Sequence, residues 1–551
     1  MKLLIPSAKI VPEELQNLGK LPAIIYPVGQ GIVLDYLLEQ YEQQADSIRI
    51  LCCEMAAEVQ ARLSSYKNKK LYFQCLDALG DLGDTVYAGL EDVHTPLVIN
   101  FADTIVQDRF PEEVKDGFFY SLDYPSDLWT FFESDQGEIS GIRDKQSGGQ
   151  VNTRQNLFVG VFRFSDEGDL KSCFEKVFKE RDPGMSSFYQ ALILYSRMHP
   201  MVPVYTENWF DIGHVDKYYN SKLEVKAREF NHITIDKNRG ILSKCSDDKD
   251  KLIGEILWYL KLPADIEYVR PRIFSYSTSY HEPYVSMEYY AYHTVHELFL
   301  YGDLGYPQWR EIFERLRFIY RDFQRYSVSD SGIPKALEEV YLEKTKKRLS
   351  ALRQDTGFQA FFQMPMKING VMYLPLDEIC RRLSKEVPCR LYDVEVFHII
   401  HGDLCFANIM VDANFSFIKV IDPRGKFGRY DIYGDQRYEL AKLFHSVDGK
   451  YDFIIKDLFD LEAVPEQAVV DYRILDRKRG FDLYEIFQNV FEEEIGADKG
   501  KIELIEALLF LSMIPLHQES LRHQYAMLAT GVELLDRVMD IRAESGGKEH
   551  V

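Results

Sequence analysis

The densest chemistry in the chain lies in one short stretch. His401-Gly402-Asp403 is followed after four residues by Asn408, and Ile421-Asp422-Pro423 comes shortly beyond. Phosphoryl transfer needs few groups, closely placed. A carboxylate must accept the proton of the attacking hydroxyl, and an amide oxygen with a second carboxylate must hold magnesium against the phosphates. On that chemistry Asp403 is the expected catalytic base and Asn408 a metal ligand, with the loop between them letting both face one site. The apolar run 417–421 predicts a short strand that delivers Asp422 to the metal.

The flanking sequence must hold this stretch in place. Residues 230–236 alternate as a strand, 237–240 form a turn and 241–245 a second strand, which together predict a β-hairpin. A helix is expected from 248 to 260. From 301 onward helical patterns dominate, as at 309–323, 336–352 and 502–513, apart from a strand-and-loop block at 396–424. Residues 1–222 alternate apolar runs, at 23–28, 48–51 and 96–101, with helical patterns such as 32–43. That alternation predicts an α/β sheet with parallel strands. Three segments are therefore expected, 1–222, 223–300 and 301–551, with a frayed tail at 544–549.

The order His-Gly-Asp, four residues, Asn, then Asp on the next strand resembles the aminoglycoside phosphotransferase and choline kinase group. The resemblance implies an α+β, bilobal protein-kinase-like fold, with 223–300 as the small lobe and 301–551 as the large one. It implies that His401 supports the loop and that Lys244 meets the ATP phosphates. Glu255 on the next helix is the expected partner of Lys244, with Glu288 a competitor. Met287-Glu288-Tyr289-Tyr290 resembles the hinge whose backbone binds adenine, and Asp435 resembles the structural aspartate beyond the metal loop, or a helix N-cap. The sequence departs from the group's fuller pattern in having no glycine-rich phosphate loop before Phe230.

Residues 1–222 carry a second set of motifs. They are Lys20-Leu21-Pro22 before an apolar run, Gly80-Asp81-Leu82-Gly83-Asp84-Thr85, Asn100-Phe101-Ala102-Asp103, Asp144-Lys145, and Trp209-Phe210-Asp211-Ile212-Gly213. In this order they resemble the sugar-1-phosphate nucleotidyltransferases and phosphocholine cytidylyltransferases. The resemblance implies a Rossmann-like mixed sheet, Asp103 and Asp211 as metal ligands, Lys20 and Lys145 as phosphate contacts, and Gly83 near the base. Two aspartates can anchor magnesium while lysines neutralise charge that grows on the phosphates. That family's opening glycine-rich loop is missing. Ser7-Ala8-Lys9-Ile10-Val11-Pro12-Glu13-Glu14 stands there, without glycine and with two acids.

The bulk composition excludes several classes. A chain of 551 residues is too long for one core. Its 65 Lys and Arg against 87 Asp and Glu give a formal charge of −22, which repels a nucleic-acid backbone. Eight scattered cysteines form no CxxC pair and read as reduced, buried thiols of a cytoplasmic protein. The longest apolar stretch, 507–516, falls short of the roughly 20 residues that span a bilayer, so no membrane insertion is expected. Homo-oligomerisation stays open.

Taken together, the motifs imply a bifunctional enzyme using Mg2+, ATP and a second NTP. It would phosphorylate a small alcohol or sugar and couple the phosphate to a nucleotide. The product would be a CDP-alcohol or NDP-sugar for capsule or other surface polysaccharide. The alternatives are a kinase with a degenerate nucleotidyltransferase-like binding domain, and an antibiotic phosphotransferase. Acidic and aromatic residues of the C-terminal half would suit a quaternary ammonium by cation–π attraction, or a stacked sugar.

Overall fold

The computed structural model describes residues 1–28, 31–63, 66, 70–124, 126, 128–145, 153–214, 231–236, 238–476 and 479–543. The chain divides into two compact units, Met1–Lys226 with Tyr301–Asp303, and Ala227–Leu300 with Leu304–Val551. The expected boundary at 222 and the expected frayed tail lie outside the described residues.

The first unit is built on a nine-stranded mixed sheet. Lys2–Ser7, buried along its whole length, runs parallel to Ser47–Cys52 on one side and to Leu97–Asn100 on the other. Leu71–Cys75 extends the parallel edge, whereas Gln155–Phe164 pairs antiparallel with Leu97–Asn100 and begins an antiparallel half. Helices Leu82–Ala88, Glu167–Val177 and Ser187–Met198 supply apolar faces, and Phe118, Phe162, Phe164, Phe174 and Phe188 pack in the same core. A separate two-stranded ladder joins Thr104–Val106 to Trp209–Asp211.

The expected strand at 23–28 is not one. Ala23–Ile25 is a 3-10 turn, and only Pro27–Val28 forms a strand, paired with Gly31–Ile32. The two prolines explain this. Pro22 starts the turn, its carbonyl accepting from the Ile25 amide, and Pro27 has no amide to give a ladder. The apolar pattern is satisfied by burial of Ile24 and Ile25 rather than by pairing.

The second unit opens with a four-stranded antiparallel sheet, ordered Asn231–Asp236, Ile241–Ser246, Tyr284–Glu288, Ile273–Ser277. The hairpin expected at 230–245 forms its first two strands. The helix Lys249–Lys261 follows, N-capped by Asp248, whose carboxylate accepts from the Lys251 amide. The remainder is largely helical. Tyr306–Gln324 buries Trp309, Ile312, Phe313, Leu316, Ile319, Tyr320 and Phe323 on one stripe, with Pro307 in its first turn where no amide is needed. The helix expected at 336–352 is a longer run, Ile333–Leu337, Glu338–Glu343 and Lys344–Leu352, whose middle segment is a π turn.

A second four-stranded sheet lies among these helices, ordered Val371–Tyr373, Met366–Ile368, Val469–Ile474, Phe459–Val464. The 396–424 block is therefore not the only strand-bearing part of this region. That block contributes Ile409–Val411 and Ile418–Val420, paired antiparallel. The expectation of buried cysteines fails at Cys75, Cys245 and Cys389, which are exposed. No helix among the described residues is long and apolar enough to cross a membrane.

Candidate active sites

In the second unit the strand Ile241–Ser246 places Lys244 against the helix Lys249–Lys261. Its ammonium lies 2.8 Å from Glu255 Oε2 and 2.7 Å from Asp422 Oδ1. Lys244 and Glu255 are 5% and 2% exposed, so this cation and its acid are held out of water. Burial works against the Lys244 charge, but Asp422 and Glu255 outweigh it and raise its pKa. Burial, and then Asp422, push Glu255 up to about 7. Of the two acids weighed for Lys244, Glu288 is engaged elsewhere, accepting from the Tyr290 hydroxyl at 2.7 Å. In the expected hinge the Glu288 and Tyr289 amides already donate to the Arg272 and Gly240 carbonyls.

The loop after Ile400 is fixed from beneath. Trp258 Nε1 donates to the Ile400 carbonyl at 2.7 Å, and the Trp258 ring meets that of His401 edge-on at 5.4 Å. Glu439, on the helix Gln436–Val447, accepts from the His401 amide at 2.9 Å and the Gly402 amide at 2.7 Å. Gly402 has φ +78°, and a Cβ there would lie 3.0 Å from Arg424 Cβ, so the position needs glycine. Burial drives the His401 imidazole down to about 4, which leaves it neutral at physiological pH.

Asp403 faces Lys442, with Nζ 2.9 Å from Oδ1. Burial pushes the Asp403 carboxyl up, but Lys442 more than offsets it and holds the acid well below the ordinary range. The side chain is thus a carboxylate, able to accept a hydrogen bond from a hydroxyl. Asn408 Nδ2 donates to the Asp403 carbonyl at 2.9 Å, which turns its amide oxygen into the free coordinating end. Ile421 donates its amide to the Asn408 carbonyl, tying the loop to the strand that carries Asp422. Asp422 has φ +57°, a left-handed conformation rare for a residue with a Cβ and frequent where a side chain must be re-aimed at a site. An amide oxygen and a carboxylate form an all-oxygen donor set that suits a hard divalent cation. Asp435 is the N-cap of its helix, accepting from the Arg437 amide and the Tyr341 hydroxyl, each at 2.9 Å.

In the first unit the ladder between Thr104–Val106 and Trp209–Asp211 brings Asp103 and Asp211 together. The Ile212 amide donates to the Asp103 carbonyl at 2.7 Å. A Cβ at Gly213 would lie 3.0 Å from Asp103 Oδ2 and 3.2 Å from Asp211 Oδ1, so both carboxylates converge on one spot. Burial and then Asp211 raise the Asp103 pKa, with Lys145 opposing. Two crowded acids beside one cation are what a divalent metal relieves, so the pair fits such an ion. His214 Nδ1 sits 2.5 Å from Asp211 Oδ2, a partner that the motif did not indicate.

Of the remaining expected contacts, Lys145 lies within electrostatic reach of Asp103. Lys145 stands at the end of Glu138–Asp144 with φ +47°, while Lys20 is exposed on the loop before Pro22. Gly83 is buried in the helix Leu82–Ala88, where a Cβ would lie 2.1 Å from Ser187 Oγ and 2.6 Å from the Phe188 amide. Close helix packing therefore accounts for that glycine without a nucleotide. In the opening loop, Glu13–Leu18 is a 3-10 helix. The Ile10 amide donates to Glu54 Oε2 and the Val11 amide to the Leu21 carbonyl, each at 2.9 Å, so neither is free for a phosphate.

The sequence motifs assign no role to Lys442, Glu439, Trp258 or Arg424. These residues reach the loop from a helix after it, a helix before it and the segment beyond Asp422, and no local spacing announces such meetings.

No protein-family model and no curated protein matches the chain. Among solved structures, it is similar to the CTP:phosphocholine cytidylyltransferase of Streptococcus pneumoniae, at 14% identity and TM-score 0.33, covering 41% of this chain and 99% of that one. The inositol-1-phosphate CTP transferase of T. maritima matches at 14% identity and TM-score 0.30, covering 41% and 98%. A thermostable mutant of an aminoglycoside phosphotransferase matches at 11% identity and TM-score 0.37, covering 57% and 94%. The neighbours are thus of two kinds, nucleotidyltransferases over the N-terminal part of the chain and a phosphotransferase over a larger share. The chemistry rests on the residues themselves.

Proposed function

We propose that the chain phosphorylates the hydroxyl of a small alcohol or sugar with ATP, and that its first unit couples the resulting phosphate to a second NTP. The observation that carries the kinase reading is the position of Lys244, bonded at once to Glu255 and Asp422. That contact gathers hairpin, helix and metal loop at one place. In this reading 223–300 and 301–551 are the two lobes of a kinase-like domain that follows a domain at 1–222.

Asp403, ionised and steadied by Lys442, accepts the acceptor hydroxyl's proton. Lys244 binds the ATP phosphates, with Glu255 holding its ammonium in place. Asn408 and Asp422 would hold Mg2+, which neutralises phosphate charge when bound. Glu439 and Trp258 keep the loop from moving under the substrate. In the first unit Asp103 and Asp211 would hold a second Mg2+, and Lys145 and Lys20 would face the phosphates of the NTP. A cytoplasmic enzyme of this kind would supply CDP-alcohols or NDP-sugars for surface polysaccharide.

A second reading has its own observation. The engaged amides of Ile10 and Val11, with two acids in the following turn, favour a first unit that binds without transferring a nucleotide. Purified protein with ATP, each of CTP, UTP, GTP and dTTP, and a panel of alcohols and sugars tests both. ADP with pyrophosphate release supports the two-step reading. ADP alone supports the second, and no acceptor-dependent ADP with any acceptor defeats the kinase reading.

A further inference from the structure

The charges around Asp403 narrow what it deprotonates. Lys344 and Arg348 are one turn apart on the helix Lys344–Leu352 and lie on one face. Tyr341, just before them, has its ring 6.3 Å from that of Tyr438. The Tyr438 hydroxyl accepts from Arg424 Nη1 at 3.1 Å. One turn beyond Tyr438 on the same helix, Lys442 pairs with Asp403 at 2.9 Å. Lys442 thus meets the Asp403 carboxylate, Lys344 and Arg424 lie within electrostatic reach of it, and Arg348 flanks those two basic side chains.

Only Lys442 is matched by it. Among the described residues Arg348 reaches only Ser512, at 3.1 Å to its carbonyl and 3.5 Å to its hydroxyl. Among the described residues the Arg424 side chain reaches only Tyr438, and the Lys344 ammonium makes no hydrogen bond or ion pair. All three are half-buried. Burial lowers the Lys344 pKa well below the ordinary range, Arg424, Arg348 and Lys442 lower it further, and Asp403 opposes them. A cation withdrawn from water is costly unless an anion meets it, and a bound anion would favour the Lys344 charge that burial and its neighbours disfavour. Guanidinium forks suit a carboxylate or phosphate.

We infer that the phosphoryl acceptor is a small hydroxylated acid, its carboxylate or phosphate monoester held by Lys344, Arg348 and Arg424 while its hydroxyl faces Asp403. The inference rests on the kinase reading of Asp403. In the step itself the acceptor oxygen bonds to the γ-phosphorus of ATP, the bond to the β–γ bridging oxygen breaks, the hydroxyl proton passes to Asp403, and ADP leaves. A quaternary ammonium would enter a pocket of like charge.

The test is calorimetric titration of the full chain, saturated with magnesium and a non-hydrolysable ATP analogue, with malonate, inorganic phosphate and choline. Malonate or phosphate should bind with the analogue in place, and choline should not. Lys344→Gln and Arg348→Gln should each weaken the anion at least tenfold, whereas Lys344→Arg and Arg348→Lys should keep most of the affinity. The inference is overturned if neither anion binds the analogue-loaded protein, or if they bind only without the analogue, since the cations then serve the nucleotide's own phosphates. It is also overturned if the charge-keeping variants lose as much as the Gln variants, if all variants bind like wild type, or if choline binds. The malonate and phosphate arms separate a carboxylate from a phosphate acceptor. Failure of the kinase reading is read separately, as ATP turnover that Asp403→Asn leaves unchanged.

Discussion

Lys442 Nζ stands 2.9 Å from Asp403 Oδ1, a buried helix cation set against the loop carboxylate. The pair keeps Asp403 ionised and aimed. Asp403→Asn preserves the shape and removes the base. Acceptor-dependent ADP formation should fall by about 10²–10⁴-fold, the usual worth of a positioned general base. Binding of a fluorescent ATP analogue should persist, and full activity in this variant would refute the assignment.

Glu439 should write a pH dependence into stability. Burial raises its carboxyl from the ordinary 4.5 to about 7. Below pH 4.5 the group is protonated whether the chain is folded or not. As pH rises toward 7 the unfolded chain releases the proton that the folded chain keeps, so this group's contribution is lost across that window, by about 3 kcal/mol at most. Glu439→Gln puts an NH2, which cannot accept, where the protonated acid has a hydroxyl oxygen beside a backbone amide, and should start about 1–3 kcal/mol less stable. Its deficit against wild type should shrink between pH 4.5 and 7. Urea melts giving parallel pH profiles for the two proteins would contradict this.

Trp258→Phe keeps the ring contact with His401 and deletes the bond to the Ile400 carbonyl. A buried carbonyl left without its donor costs about 1–3 kcal/mol. The urea midpoint should drop accordingly, and ATP turnover should fall as the loop loosens.

Asp211→Asn and Asp403→Asn should complement. The first should lose NTP-dependent pyrophosphate release while still making ADP, and the second the reverse when given a phosphorylated substrate. Mixed, they should restore the whole sequence from the free acceptor. A mixture no better than either alone would defeat the two-step reading.

Gly83→Ala places a Cβ 2.6 Å from the Phe188 amide and closer still to Ser187 Oγ. Backbone must shift, at about 1–3 kcal/mol. The melting temperature should fall while NTP affinity of the folded fraction, read by equilibrium dialysis, stays near wild type. A selective loss of affinity would return Gly83 to the nucleotide site.

Legibility followed sequence distance. Asp403, Asn408 and Asp422 sit within one loop and strand, so their types and spacing are enough to suggest their chemistry. Lys244 and Glu255 are separated by a strand end and two helical turns, again a local geometry. Lys442 and Glu439 meet the loop only through helix packing, and a charged residue on an amphipathic helix looks the same whether it faces solvent or a buried partner. The run at 23–28 misled because apolar content signals burial, whereas the flanking prolines decide against a ladder. The three-residue strands Met366–Ile368 and Val371–Tyr373 are too short for an alternation to register.

The π turn at Glu338–Glu343 gives this chain a counting device. Such a turn carries an extra residue relative to an α-helix, and each residue rotates the downstream helix by about 100°. The direction in which Lys344 and Arg348 face is therefore fixed by how many residues precede them, not by which ones. Deleting a single residue there would swing both side chains around the helix axis and leave Asp403, Asn408 and Asp422 in place. Under the proposed function, acceptor choice would then change by insertion or deletion at this turn, without substitution of Asp403, Asn408 or Asp422.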